Sequence, residues 1–100
     1  MFRGSAPTHT FTLPEDVGVL KKIIIVYAQE DVEILRKTEQ DCEINGNKVR
    51  LKLTQGETLL FDFNKNMQIQ MKAVTEDGTP LISNIIKKDV RKCLIDEVVE

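Results

Sequence analysis

One histidine and two cysteines bound the chemistry that this chain can perform. Acid–base or nucleophilic catalysis needs a histidine, a thiolate or a converging pair of carboxylates, each held by a positioned partner. His9 stands in Thr8-His9-Thr10-Phe11-Thr12-Leu13, with no Gly-x-Ser-x-Gly elbow and no partner visible in the sequence. It reads as a surface or edge-strand histidine. A Cys–His pair would require Cys42 or Cys93 to be folded against His9, which nothing in their spacing suggests. No CxxC or HxxxH spacing exists to hold zinc. Met1-Phe2-Arg3-Gly4-Ser5 is too short and polar for an export signal, so both cysteines are expected as free thiols.

The remaining polar clusters read as solvated. Glu39-Gln40-Asp41 and Glu76-Asp77-Gly78 resemble fragments of calcium loops, but neither continues into the Asp-x-Asp-x-Asp-Gly ligand series. The glycines are scattered and form no phosphate-cradling loop. Lys87-Lys88 with Arg91-Lys92 is the densest basic run; Asp96 and Glu97 follow it, and no aromatic neighbours it in sequence. Lys48, Arg50 and Lys52 form a second stripe, read as the wet face of a sheet. Fourteen basic residues against sixteen acidic ones leave a net charge of −2, without the basic excess of a nucleic-acid binder. The longest apolar run, Ile23 to Ala28, is far short of a membrane-spanning helix. No catalytic, cofactor or metal site is expected, and no small-molecule substrate, nucleic acid or membrane. The chain reads as a non-enzyme.

The elements that would position a site are strands. One hundred residues, 41% hydrophobic and 30% charged, make one small globular domain. Residues 1–7 read as a flexible leader and residues 8–100 as the domain, with a short C-terminal tail. Thr8 to Leu13 has strand composition and is stopped by Pro14; residues 14–18 read as a turn, and the acidic residues after proline would also suit one helical turn. Ile23 to Ala28 is apolar on both faces, the mark of a central strand, and Val32 to Thr38 completes a hairpin after Glu30-Asp31. Asn45-Gly46 predicts a type I′ hairpin tip. Beyond it Val49, Leu51 and Leu53 alternate with Lys48, Arg50 and Lys52; later Met67, Ile69, Met71 and Ala73 alternate with polar residues. Thr54 to Thr58 is a polar break or a helical turn, and Glu76 to Thr79 a hairpin turn before a returning strand from Leu81 to Ile86. Ile86, Val90, Leu94 and Val98 fit helical spacing, but a strand ending near Val90 with a tail fits as well and is the reading adopted. About seven short strands with regularly spaced turns predict an all-β antiparallel sandwich.

A two-layer sandwich covers one face of each sheet, so segments apolar on both faces leave a surplus. Ile24 and Val26, with Ile82 and Ile86, are the candidate interface. The occupant is a second copy, another protein, or an intrachain cover by Phe2 or the Leu94–Val99 tail.

Between His9 and Val99 the chain resembles a group of small proteins encoded by phages and prophages of Gram-positive bacteria. The resembling stretches are His9-Thr10-Phe11-Thr12-Leu13-Pro14, Val26-Tyr27-Ala28-Gln29, Asp41-Cys42 leading to Gly46-Asn47, Leu53 to Leu59, Ile69-Gln70-Met71 and Cys93-Leu94. The resemblance carries no active site. It implies an immunoglobulin-like sandwich acting as a structural or assembly module of the tail or baseplate, joined to other virion proteins or to itself. Such a protein assembles in the host bacterial cytoplasm and ends in the virion. The alternative, a module binding host-surface carbohydrate, would normally display exposed aromatics. Tyr27 stands alone among Tyr and Trp.

Overall fold

The computed structural model describes residues 1–13 and 19–100. The turn expected over residues 14–18 lies outside them. The described chain forms β1 (Thr8–Thr12), β2 (Leu20–Gln29), β3 (Val32–Thr38), β4 (Cys42–Asn45), β5 (Lys48–Lys52), α1 (Gln55–Thr58), β6 (Met67–Thr75), β7 (Pro80–Ile82) and β8 (Ile86–Lys88). These make two antiparallel sheets, one ordered β1-β5-β4 and the other β3-β2-β6-β7, with β8 also paired to β6.

Period-two alternation decides which side chains enter the space between the sheets. Val49 and Leu51 with Leu53 from the small sheet meet Ile23, Ile25, Tyr27, Met67, Ile69, Met71 and Ala73 from the large one, all buried. Phe11, Leu13, Phe61 and Val90 complete the core. Gln29, also buried, is fully satisfied: its amide donates to the carbonyls of Asp62 (2.8 Å) and Lys65 (3.1 Å), and its oxygen accepts from Asp62 N–H (2.9 Å). It pins the loop between α1 and β6.

Three local features differ from the expectation. The β4–β5 tip falls one residue later than Asn45-Gly46. Asn45 pairs with Lys48, which leaves Gly46-Asn47 as the loop. Only Gly46 takes positive φ (+62°), the type II′ pattern rather than I′. Asn47 is drawn instead to β1: its amide donates to Leu13 O (2.8 Å) and its carbonyl accepts Leu13 N–H (2.7 Å). The I′ pattern appears at Glu30-Asp31, with φ of +51° and +63°.

The returning strand expected from Leu81 to Ile86 is split into β7 and β8. Ser83 causes the break. Its hydroxyl accepts Met71 N–H (2.9 Å) in place of a strand carbonyl, while its own N–H donates to Met71 O (2.9 Å). Asn84 and Ile85 then lie outside the ladder, and the chain rejoins β6 at Ile86 opposite Ile69.

Residues 1–7, expected as a flexible leader, run as a hydrogen-bonded strap. Phe2 bridges Arg91 in parallel, and the buried Thr58 hydroxyl accepts Gly4 N–H (2.9 Å) and donates to Ser5 O (2.8 Å). The Arg3 fork reaches the carbonyls of Phe61 (2.7 Å) and Leu59 (3.0 Å) and the Asp96 carboxylate (2.9 Å). One planar cation thereby ties leader, loop and tail. The tail beyond Arg91 forms neither helix nor strand. It lies along the leader and α1, where the Gln55 side chain exchanges two hydrogen bonds with the Val99 backbone.

Candidate functional site

The histidine does acquire a partner, supplied by the opposite sheet. His9 Nδ1 lies 2.7 Å from the Tyr27 hydroxyl, and the Tyr27 ring is tilted against Phe61. Tyr27 is completely buried. Burial, helped by the negative field of Cys42 and Glu57, pushes its phenol far above the ordinary tyrosine range. Burial and the nearby Lys88 ammonium hold His9 below the ordinary imidazole value of 6.5. Both shifts favour the neutral form. The phenol and the half-buried imidazole satisfy one another through a single hydrogen bond between the sheets, and the imidazole tautomer sets which of them donates.

Register also places Cys42 relative to the histidine. His9 and Cys42 both pair with Leu51, from opposite sides. They share the inner face of the small sheet but stand two strand spacings apart, about 10 Å, with a leucine between them. The Cys42 thiol donates to Thr38 O (3.4 Å), and burial, reinforced by Asp41 and Glu39, pushes it up rather than down. A reactive cysteine needs the opposite shift. Cys93 is free as well.

The charged stripes are distributed. Arg50 lies between Thr10 and Glu43 on the outer face of the small sheet, Lys48 between Thr12 and Asn45, and Lys52 opposite Thr8. In the C-terminal basic run the fold supplies aromatics that the sequence does not place nearby. Arg91 sits 5.9 Å over the exposed Phe2 ring and Lys92 5.5 Å over Phe63. One face of each ring is thus taken by an internal cation. Among the described residues no three His, Cys, Asp or Glu side chains converge as a metal site.

The candidate interface residues do not share one face. Ile24 and Val26 lie on the outer face of the large sheet, and Lys72 pairs with both Ile24 and Ile82. Ile82 is 64% exposed. Ile86 pairs with the inward Ile69, and it lines a cleft of about 350 Å³ between the sheets with Phe11, Leu13, Met71 and Leu81. On the outer face, Val26 and Ala28 border a shallow groove with Glu33, Gln68, Gln70 and the exposed Ile85. The tail does not take its hydrogen bonds from this face; they go to the leader and α1.

Sequence reasoning missed the ion pair between Lys37 on β3 and Glu57 on α1, both sparingly exposed. Half of its signal was present: Thr54-x-x-Glu57 is a capping box, in which Glu57 accepts Thr54 N–H (2.9 Å) and Thr54 Oγ1 accepts Glu57 N–H (3.2 Å). The other half, Lys37, comes from a strand that only the tertiary structure brings near. Compared with family models, with curated proteins and with solved structures, the chain matches none of them.

Proposed function

We propose that this chain is a non-enzymatic assembly module that works through protein–protein contacts, and that its setting is a phage or prophage virion, in the tail or baseplate. The observation that carries the first half is the outer face of the large sheet. Its central strand presents Ile24, Val26 and Ala28, its edge presents Ile82 and Ile85, and no described element packs over the groove between them. The one histidine is engaged with the buried Tyr27 hydroxyl, which supports reading the pair as structural. The virion setting rests on the sequence resemblance alone.

An immunoglobulin-like connectivity belongs to the same proposal. Its support is the strand order β1-β5-β4 against β3-β2-β6-β7. That order matches strands B-E-D against C′-C-F-G of the immunoglobulin arrangement, without its first strand A.

The test is incorporation. Particles purified from phage-producing cells should contain the wild-type chain at fixed stoichiometry, and a folded Val26→Glu variant should be lost from them. Absence of the wild-type chain from particles overturns the virion setting. Equal incorporation of Val26→Glu overturns the outer face as the contact.

A further inference from the structure

Edge strands expose unpaired backbone groups, and soluble proteins guard them with charge, proline, bulges or brevity. Three flanks of this fold are guarded in that way. β3 carries the Glu33–Arg36 ion pair and a register shift opposite Tyr27-Ala28. β4 is four residues long and carries Glu43. β7 has three residues and begins with Pro80, and β8 carries Lys87 and Lys88. β1 is the exception. Thr8-His9-Thr10-Phe11-Thr12 contains no carboxylate, lysine, arginine or proline, pairs with β5 without a register shift, and has no described strand on its other side.

The direction of its backbone groups follows from the bonds that flank it. Leu53 N–H donates to Pro7 O and Leu13 N–H to Asn47 O, so the odd-numbered residues of this stretch face β5. Thr8, Thr10 and Thr12 therefore turn their N–H and C=O groups outward, and among the described residues none of these groups is hydrogen-bonded. Their side chains are exposed on the outer face of the sheet.

We propose that β1 is a self-pairing edge, joining two copies of this chain antiparallel about a two-fold axis at Thr10. This is a different surface from the outer face proposed above. With Thr10 opposite Thr10 and Thr8 opposite Thr12, all six outward N–H groups find outward carbonyls, and a ladder of threonine pairs forms on one face. The pattern is its own complement, which is what an isologous contact requires. The result is a continuous six-stranded sheet, β4-β5-β1 followed by β1-β5-β4 of the second copy. Charge permits it: the Arg50 positions of the two copies fall about 14 Å apart, beyond the roughly 8 Å screening length at physiological salt. The seam also brings together the two clefts beside Phe11 and Leu13, whose rims each hold the exposed Ile86. That adds apolar surface to an interface otherwise made of backbone.

Sedimentation equilibrium of the full chain tests this with three variants, each checked for an unchanged circular dichroism spectrum and melting temperature. The wild type should be a dimer. Thr10→Lys and Thr10→Glu, which place like charges opposite one another at the axis, should each weaken dimerisation at least tenfold. An equimolar mixture of the two should recover it as a heterodimer. Val26→Glu should leave it unchanged. A wild-type chain that stays monomeric at high concentration overturns the seam. So does a dimer indifferent to both Thr10 substitutions, and if that dimer is broken by Val26→Glu, the outer face is the contact and the proposed function survives. Failure of the mixture to recover the dimer overturns the two-fold pairing at Thr10.

Discussion

The two flanks of the molecule close in different ways. Where β3 passes into β4 the sheets are joined by the chain itself. A 3-10 turn over Glu39–Asp41 makes the crossing, Asp41 Oδ2 accepts Thr38 N–H (3.0 Å), and Lys37 on β3 pairs with Glu57 on α1. Where β1 faces β7 and β8, a cleft of about 350 Å³ remains, and among the described residues no hydrogen bond crosses it. Both flanks enclose the same core, so burial does not separate them. The difference lies in what happens to the edges: one flank spends its polar groups on itself, and the other leaves them facing outward. An edge with unspent backbone groups and an apolar rim is the place where a small sandwich can take up another strand.

The largest effect should be the one that ignores the flanks. Leu51, 1% exposed, sits in the shared core, and Leu51→Ala should cost about 2–5 kcal/mol by urea unfolding. Leu81→Ala, on the half-buried wall of the open cleft, should cost clearly less, about 1 kcal/mol. Equal losses would mean that the open flank is packed as tightly as the centre.

Next comes the cap on the closed flank. Thr54→Ala removes the N-cap that orients Glu57 toward Lys37 and should cost about 1 kcal/mol. Thr12→Ala, an exposed threonine on the open edge, should stay within about 0.5 kcal/mol in the monomer. The same urea titrations, run on dilute protein, read both; a costly Thr12→Ala would reverse the contrast.

A smaller effect separates the flanks by pH. Burial works against the Glu57 carboxylate, but the Lys37 ammonium and the Thr54 bonds outweigh it and hold its pKa below the ordinary 4.5. Its stabilisation is present above that value and is lost as pH falls through the folded pKa. His9, on the open edge strand, is held below 6.5 by burial and by Lys88. The unfolded chain takes up that proton first, so stability declines as pH drops from 6.5 toward the folded value. Thermal melts between pH 7.5 and 3.5 should show the upper slope flattened by His9→Gln and the lower one reduced by Glu57→Gln. If His9→Gln leaves the slope near pH 6 intact, the imidazole is not held neutral by the core.

The smallest effect concerns the β2–β3 hairpin. Glu30 holds φ of +51°, which asparagine tolerates better, so Glu30→Asn should stabilise by roughly 0.5 kcal/mol. The substitution also removes the Glu30–Lys65 ion pair, which is long, at 3.6 Å, and exposed on its glutamate side. A destabilised variant would show that this ion pair outweighs the backbone preference.

Much of this fold was written locally. Strict alternation over residues 48–53 and 67–73 named the inward set, because a strand's side-chain period is two whatever it pairs with. Turn residues marked the hairpins, although the pull of Leu13 on Asn47 moved one tip by a residue.

Pairing between strands remote in sequence was decided only in three dimensions. β1 lies beside β5, β2 beside β6, and the leader beside Arg91. These choices set which edges are covered and which are open, and so where His9 meets Tyr27 and where Ile82 and Ile86 part onto different faces. Local pattern tells a strand which face to bury. Which neighbour it takes depends on long-range packing and on the loop entropy of bringing distant segments together, and neither is encoded in any short stretch of the chain.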